Sequence, residues 1–244
     1  MRIDDSRPPV VRLTLDRPET RNCLDTDTVR ELLSSLDAAE RTPNASVLVI
    51  DAEGDDFCSG MDLKDPSPAN WRPLLEDIEI LLSRVRSSPL ITVALVRGAA
   101  IGGGVGLAAA CDLVVAGPTA EFRMTEVLLG MVPALILPLV GSRVGLRRAY
   151  TLALLAQSVP GHEAVRIGLA DVCGDKPDRE LALVLRRLRA ADGSAVRSIK
   201  QYAVALTDRD QPSSELAWAV LDERLSDPGM RERLEWLQKG RSIS

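Results

Sequence analysis

Three short apolar runs constrain the fold most: "SVLVIDA" (Ser46–Ala52), "LITVALV" (Leu90–Val96) and "DLVVAG" (Asp112–Gly117). Each is bounded by turn-forming residues and rich in β-branched side chains, which reads as a buried strand. Between them lie segments with helical spacing. Val29, Leu32, Leu33 and Leu36 form one stripe, and Leu74, Leu75, Ile78, Leu81, Leu82 and Val85 form another. "VVRLTL" (Val10–Leu15) precedes this series as a further strand, and Gly145–Ala156 and a helix around Glu163–Gly168 follow it. Strands alternating with helices imply an α/β fold with mostly parallel pairing and crossover connections. From "AADGSAV" (Ala190–Val196) onward the pattern is wholly helical, giving a core over 1–192 and a helical region over 193–244. The stripe Leu216, Trp218, Leu221 and Leu225 in that region could pack on the core or on a neighbouring subunit. No repeat of 20 to 50 residues is evident.

Composition excludes several functions. At 244 residues, with 45% apolar content and a mean hydropathy of +0.03, the chain suits one large globular domain or a domain with a small appendage. A net charge of -5 with no cationic block argues against nucleic-acid binding. No signal peptide or membrane-spanning run is visible, so a cytoplasmic location is expected. Cys23, Cys58, Cys111 and Cys173 never stand in CxxC spacing, which predicts buried thiols and no metal site. The one histidine, His162, falls in the first turn of a helix after Pro-Gly, a solvent position, which leaves a Ser-His-Asp or Cys-His mechanism without its base.

The segment "RGAAIGGGVGLAAACD" (Arg97–Asp112) sets three consecutive glycines between a strand and a helix. It lacks the GxxxxGK[ST] of a P-loop and the GxGxxG of a dinucleotide fingerprint. Two readings stay open. Either the glycines let helix and strand pack closely, or they bare the unpaired amides of a helix N-terminus to an oxygen that gains negative charge, as half of an oxyanion hole. The stretch "DDFCSGMDL" (Asp55–Leu63) offers a second such turn, at Gly60.

"FCSGMDL" and "RGAAIGGGVGLAAACDLVVA", in that order, resemble the crotonase (enoyl-CoA hydratase/isomerase) superfamily. "LDRPETRNCLD" is similar to its "NRPxxxNALD" element, "FRMTEVLLGMVPA" to its third signature and "HEAVRIGLADVC" to its "AxxxGLVDEV" helix. The likeness spans essentially the whole chain. It implies a spiral of ββα units with a C-terminal helical trimerisation region, hence a homotrimer, with a hexamer as the alternative. It also implies an oxyanion hole at the amides of Met61 and Gly103, in which one lost donor would cost about 3–4 kcal/mol of transition-state stabilisation. No cofactor is implied beyond the phosphopantetheine of coenzyme A or of an acyl carrier protein that presents the substrate.

Hydratases of the family use two glutamates, one in "GGGxE" and one in "PExxLG". The first position here is Gly106, so that carboxylate is absent; the second is Glu126 in "TEVLLG". Glu126 is therefore the expected acid–base residue, its pKa raised by neighbours such as Leu128, Met131 and Val132. Asp112 reads as a turn and cap residue. Substrate contacts are expected from Ser59, Gly60, Asp62, Gly102, Gly104, Pro133 and Ala134, and Lys64 or Arg123 is the candidate cation for a distal carboxylate.

One carboxylate supports dehydration, hydration or double-bond isomerisation. "MVPALILPLVGSRVG" (Met131–Gly145), together with Gly106, resembles family members that act on branched acyl chains. "LRRLRAADGSAVRSIKQYAVAL" and "LSDPGMRERLEWLQKG" resemble the tails of the dehydratases of polyketide β-branching cassettes, which convert 3-hydroxy-3-methylglutaryl on an acyl carrier protein to 3-methylglutaconyl. The alternatives are a coenzyme A-dependent hydratase or isomerase, and a thioester-binding subunit without catalysis.

Overall fold

A computed structural model describes residues 1–64, 67, 70–208 and 214–238. Its larger sheet has six strands in the order β1 (Arg2–Arg7), β2 (Val10–Leu15), β3 (Val47–Ala52), β5 (Ile91–Val96), β7 (Leu113–Ala116) and β10 (Val172–Cys173). β1 runs antiparallel to β2, and all the other neighbours are parallel. A smaller sheet holds β4 (Asp56–Cys58), β6 (Ala99–Ile101), β8 (Glu121–Arg123) and β9 (Val159–Pro160). The chain passes from the large sheet to the small one and then into a helix: β3, β4 and α2 (Arg72–Ser87), then β5, β6 and α3 (Gly103–Ala110). This is the ββα spiral implied by the resemblance. Among the described residues, no helix is long and apolar enough to cross a membrane.

The continuous apolar runs follow from burial on both faces of the large sheet. Successive side chains of a strand point to opposite faces. Leu48, Ile50, Ala94, Val96 and Val114 join the main core with α1 (Thr26–Arg41), α2 and α3. Val47, Val49, Val93, Leu95 and Val115 meet Leu181, Val184, Leu185 and Leu188 of α7 (Pro177–Ala190). α1 buries Val29, Leu32 and Leu36 and opens at Asp25, whose side chain accepts from Thr28 N. α2 begins at Arg72, with Pro73 at its start, where the missing N–H costs nothing. "KDPSPANWRP" (Lys64–Pro73), whose prolines and serines suggest a surface loop, is described at Lys64, Ser67 and Asn70–Pro73, and its end departs from a loop: Trp71 is buried and Arg72 and Pro73 open α2.

α4 (Leu137–Val144), α5 (Leu146–Leu155) and α6 (Gly161–Ile167) follow β8, and α8 (Gly193–Asp208), α9 (Ser214–Leu225) and α10 (Pro228–Gln238) close the chain. His162 is exposed in the first turn of α6. Cys23, Cys58 and Cys111 are buried and Cys173 partly so, all as free thiols. Burial pushes the Cys58 and Cys111 thiols up to about 12, which removes thiolate chemistry at neutral pH.

The C-terminal helices fold onto their own chain. Lys200 of α8 is buried and donates to Leu90 O at 2.7 Å and to Asp112 Oδ2 at 2.8 Å. The same Asp112 oxygen accepts from Thr92 N and Thr92 Oγ1. Asp112 is thus a clasp between strand and helix. Of the apolar stripe on α9, Leu221 is buried and Trp218 and Leu225 pack beside it, whereas Leu216 faces solvent. Removing one partner from a buried ion pair leaves the other charge uncompensated. Lys200→Met is therefore expected to lower unfolding stability by about 3 kcal/mol in urea titrations, and adding Asp112→Asn recovers part of that loss.

Candidate active site

β4, β6 and β8 are parallel neighbours, so their carboxyl ends share one edge of the small sheet. Each strand then releases a different segment into the same space. Ser59–Gly60–Met61 leaves β4, Gly102–Gly103 leaves β6, and Met124–Thr125–Glu126 leaves β8.

The first two segments abut through glycine. Gly60 has φ +87°, and a Cβ on it would fall 2.7 Å from Ile101 O and 3.4 Å from Gly103 N. Gly102 takes φ 51° and ψ −116°, a conformation open to glycine alone among the common residues, and donates to Arg123 O at 2.9 Å. A Cβ on Gly103 would meet Leu24 Cδ1 at 3.0 Å and Met61 N at 3.8 Å. Gly104 packs against Cys58, with a Cβ there overlapping Cys58 O. The two readings of the triple glycine thus divide by residue: Gly104 permits close packing, while Gly102 and Gly103 border the cavity.

Met61 forms a parallel bridge with Leu24. The ladder uses Gly60 O, which accepts from Leu24 N at 2.7 Å, and Asp62 N, which donates to Leu24 O at 3.1 Å. The Met61 N–H is turned the other way. Gly103 is the first residue of α3, where an N–H has no intrahelical acceptor. Neither amide has a hydrogen-bond acceptor among the described residues.

Glu126 opens a 3₁₀ turn over Glu126–Leu129, and its carbonyl accepts from Met131 N at 2.9 Å. Its Oε1 would lie 3.1 Å from a Cβ on Gly102. The residue as a whole is half-buried, yet Oε2 is sealed from solvent and has no hydrogen-bond partner. Desolvation raises the pKa to about 7, against partial relief from the Glu126 and Thr125 backbone amides.

A cavity opens around these groups. Ser59, Gly60, Met61, Gly102, Gly103, Glu126, Pro133 and Ala134 line it, as the sequence leads one to expect, together with Leu75, Ile78, Met131, Leu135 and Ile136. Leu221 of α9 completes the wall; its place in the α9 stripe signals packing but not a cavity. Glu126 is the one ionisable side chain among the described lining residues.

Four expected contacts do not line it. Asp62 turns back, its Oδ1 accepting from Lys64 N at 3.1 Å. Lys64 is largely exposed, its Nζ 3.4 Å from Asp62 Oδ2. Arg123 donates through Nε to Ala156 O at 2.6 Å. Gly104 serves packing, as described. Cys23, Asp25 and Asp62 bring potential ligand atoms within 4.8 Å of one another. Asp25 already accepts from Arg17 and Thr28 N, so this group is a helix cap in use.

The chain matches the family model "Enoyl-CoA hydratase/isomerase" over residues 6–220. It is 28% identical over 228 residues to bacillaene synthase dehydratase PksH of Bacillus subtilis (strain 168), covering 90% of this chain and 86% of that protein. It is 27% identical over 260 residues to enoyl-CoA isomerase/hydratase fer4 of Mycosarcoma maydis, covering 95% and 90%. The crystal structure of a polyketide biosynthesis enoyl-CoA hydratase (pksH) from Bacillus subtilis superposes with a TM-score of 0.87 at 25% identity, covering 99% of this chain and 98% of that one.

The raised pKa has a definite sign in stability. Between its ordinary 4.5 and about 7, Glu126 ionises in the unfolded chain while the folded chain keeps its proton, so folding loses stability as pH rises through that window. Glu126→Gln escapes this loss. Its urea midpoint is expected to gain on the parent's from about pH 4.5 to 7 and then to hold a constant lead; a pH-independent difference would mean that the carboxyl is solvated.

Proposed function

The chain belongs to the enoyl-CoA hydratase/isomerase family, enzymes that act on acyl thioesters, and on that premise we propose that Glu126 alone carries acid–base catalysis in the dehydration of a 3-hydroxyacyl thioester. The observation that carries this reading is the dry, unpartnered Glu126 Oε2 in one cavity with two unpartnered amides. The thioester oxygen takes the Met61 and Gly103 amides. As the carboxylate of Glu126 removes the α-proton, the C–H electron pair moves toward that oxygen and forms an enolate, which preorganised donors stabilise at no reorganisation cost. The enolate then collapses to the Cα=Cβ double bond and expels the β-oxygen. That oxygen takes the proton back from Glu126 and leaves as water, so the carboxylate is restored. A pKa near 7 suits a group that must both take and return a proton.

The finer reading is 3-hydroxy-3-methylglutaryl on an acyl carrier protein, converted to 3-methylglutaconyl in polyketide β-branching. The likeness to PksH, a dehydratase of bacillaene synthase, supports it. A second reading is favoured by the lining, which holds no cation for a distal carboxylate among the described residues. This is a coenzyme A-dependent hydratase or isomerase working on an uncharged acyl chain; in the isomerase, Glu126 would return the proton to a different carbon.

Thioesters of 3-hydroxy-3-methylglutaryl and of 3-hydroxy-3-methylbutyryl, each on carrier protein and on coenzyme A, separate these readings by the loss of one water followed by mass spectrometry. The finer reading expects the carboxylated carrier-protein substrate to react fastest, and equal rates on coenzyme A would remove it. Glu126→Gln is expected to reduce turnover at least about a hundredfold with the fold intact by circular dichroism. In the parent enzyme kcat/KM rises with pH through about 7, because the first step needs the carboxylate. Undiminished turnover in Glu126→Gln would exclude the proposed role, and no turnover of any substrate would leave a thioester-binding subunit.

A further inference from the structure

Position 106, where hydratases of the family carry their other glutamate, is closed as well as uncharged. A Cβ on Gly106 would overlap Ile136 Cγ2 and stand 3.2 Å from Ile136 Cβ and 3.3 Å from Leu82 Cδ1. Ile136 is 4% exposed and its side chain forms part of the cavity wall. The room of an acid has thus been refilled from the segment that follows Glu126.

The position of this refilling is informative. Gly106 N donates to Gly102 O at 3.1 Å, so Gly106 stands about one helical turn, roughly 5 Å, along α3 from the bare amide of Gly103. With a thioester oxygen at that amide, the β-carbon lies two bonds, about 2.5 Å, from the carbonyl carbon. A substituent directed from there along α3 would come to the level of Gly106, against the Ile136 wall. The cavity side chains nearest in sequence to Ile136 are Pro133, Ala134 and Leu135, and α2 adds Ile78, all without a polar side-chain atom.

We propose that Ile136 is the specificity-determining residue for the β-carbon, an apolar wall that takes an alkyl branch where a second carboxylate would hold water. This rests on the reading of Glu126 and the two amides given above, and it holds whether the distal end of the acyl chain is charged or neutral. A methyl group on the β-carbon exchanges water for the sec-butyl side chain of Ile136. A straight-chain substrate leaves that contact unmade. One methylene in a fitted apolar pocket discriminates about tenfold or more.

The test uses pantetheine thioesters that differ by one methyl, 3-hydroxy-3-methylbutyryl against 3-hydroxybutyryl for turnover, and 3-methylcrotonyl against crotonyl for binding by calorimetry. The parent is expected to favour the branched member of each pair about tenfold or more. Ile136→Ala should bring both ratios to within about threefold of unity, and Ile136→Val, which trims one methyl and preserves the core, should move them the same way by less. Ratios unchanged by both variants, or a parent that binds the two enoyl thioesters equally, overturn the proposal. The binding pair reports on Ile136 even if no substrate turns over, whereas loss of the branched preference in Ile136→Ala alongside undiminished turnover in Glu126→Gln would overturn the acid–base reading and leave Ile136 standing.

Discussion

Three parallel strands that stop at one edge govern everything the site can do. Because β4, β6 and β8 are hydrogen-bonded neighbours, the turns that leave them are held a strand spacing apart. Met61, Gly103 and Glu126 come from separate parts of the sequence, yet the small sheet sets their spacing. Ligands of open parallel sheets gather at the carboxyl ends of strands for the same reason: loops converge there and helix N-termini face outward.

The second constraint is dryness. Leu75, Ile78, Met131, Leu135, Ile136 and Leu221 shield Glu126, whose Oε2 is dry and unpartnered, and an ionised carboxylate is disfavoured in such surroundings. The same exclusion strengthens any interaction between the two amides and a developing negative charge. One apolar wall therefore weakens Glu126 as an acid toward neutrality and sharpens the electrostatics beside it. Ile136 takes part in both effects, since it lines the cavity and fills the space above Gly106.

Much of this was legible in the residues. The runs Ser46–Ala52, Leu90–Val96 and Asp112–Gly117 announce strands because both their faces are buried, and the stripes on α1 and α2 announce helices because only one face is. Of the small sheet only the strand end before the Gly60 turn was legible; β6 and β8 have three residues each, too few to display a period of two, and entered only through the family resemblance. Arg123 and Lys64 show the converse limit. Both lie beside signature motifs, yet sequence adjacency does not say which way a side chain turns. Arg123 finds the Ala156 carbonyl, and Lys64 remains largely exposed beside Asp62. Ile136 falls between the two cases, since its segment stands out in the sequence but its overlap with position 106 needs coordinates.

Leu221 of α9 completes the wall of a chamber whose other walls come from earlier segments. During synthesis on the ribosome the strands and both glycine turns emerge first, with Leu129, Met131 and Leu75 still facing water where α9 will lie. A product that ends early therefore carries the reacting groups but an open chamber and a sticky apolar face. Closure of the chamber waits on α9.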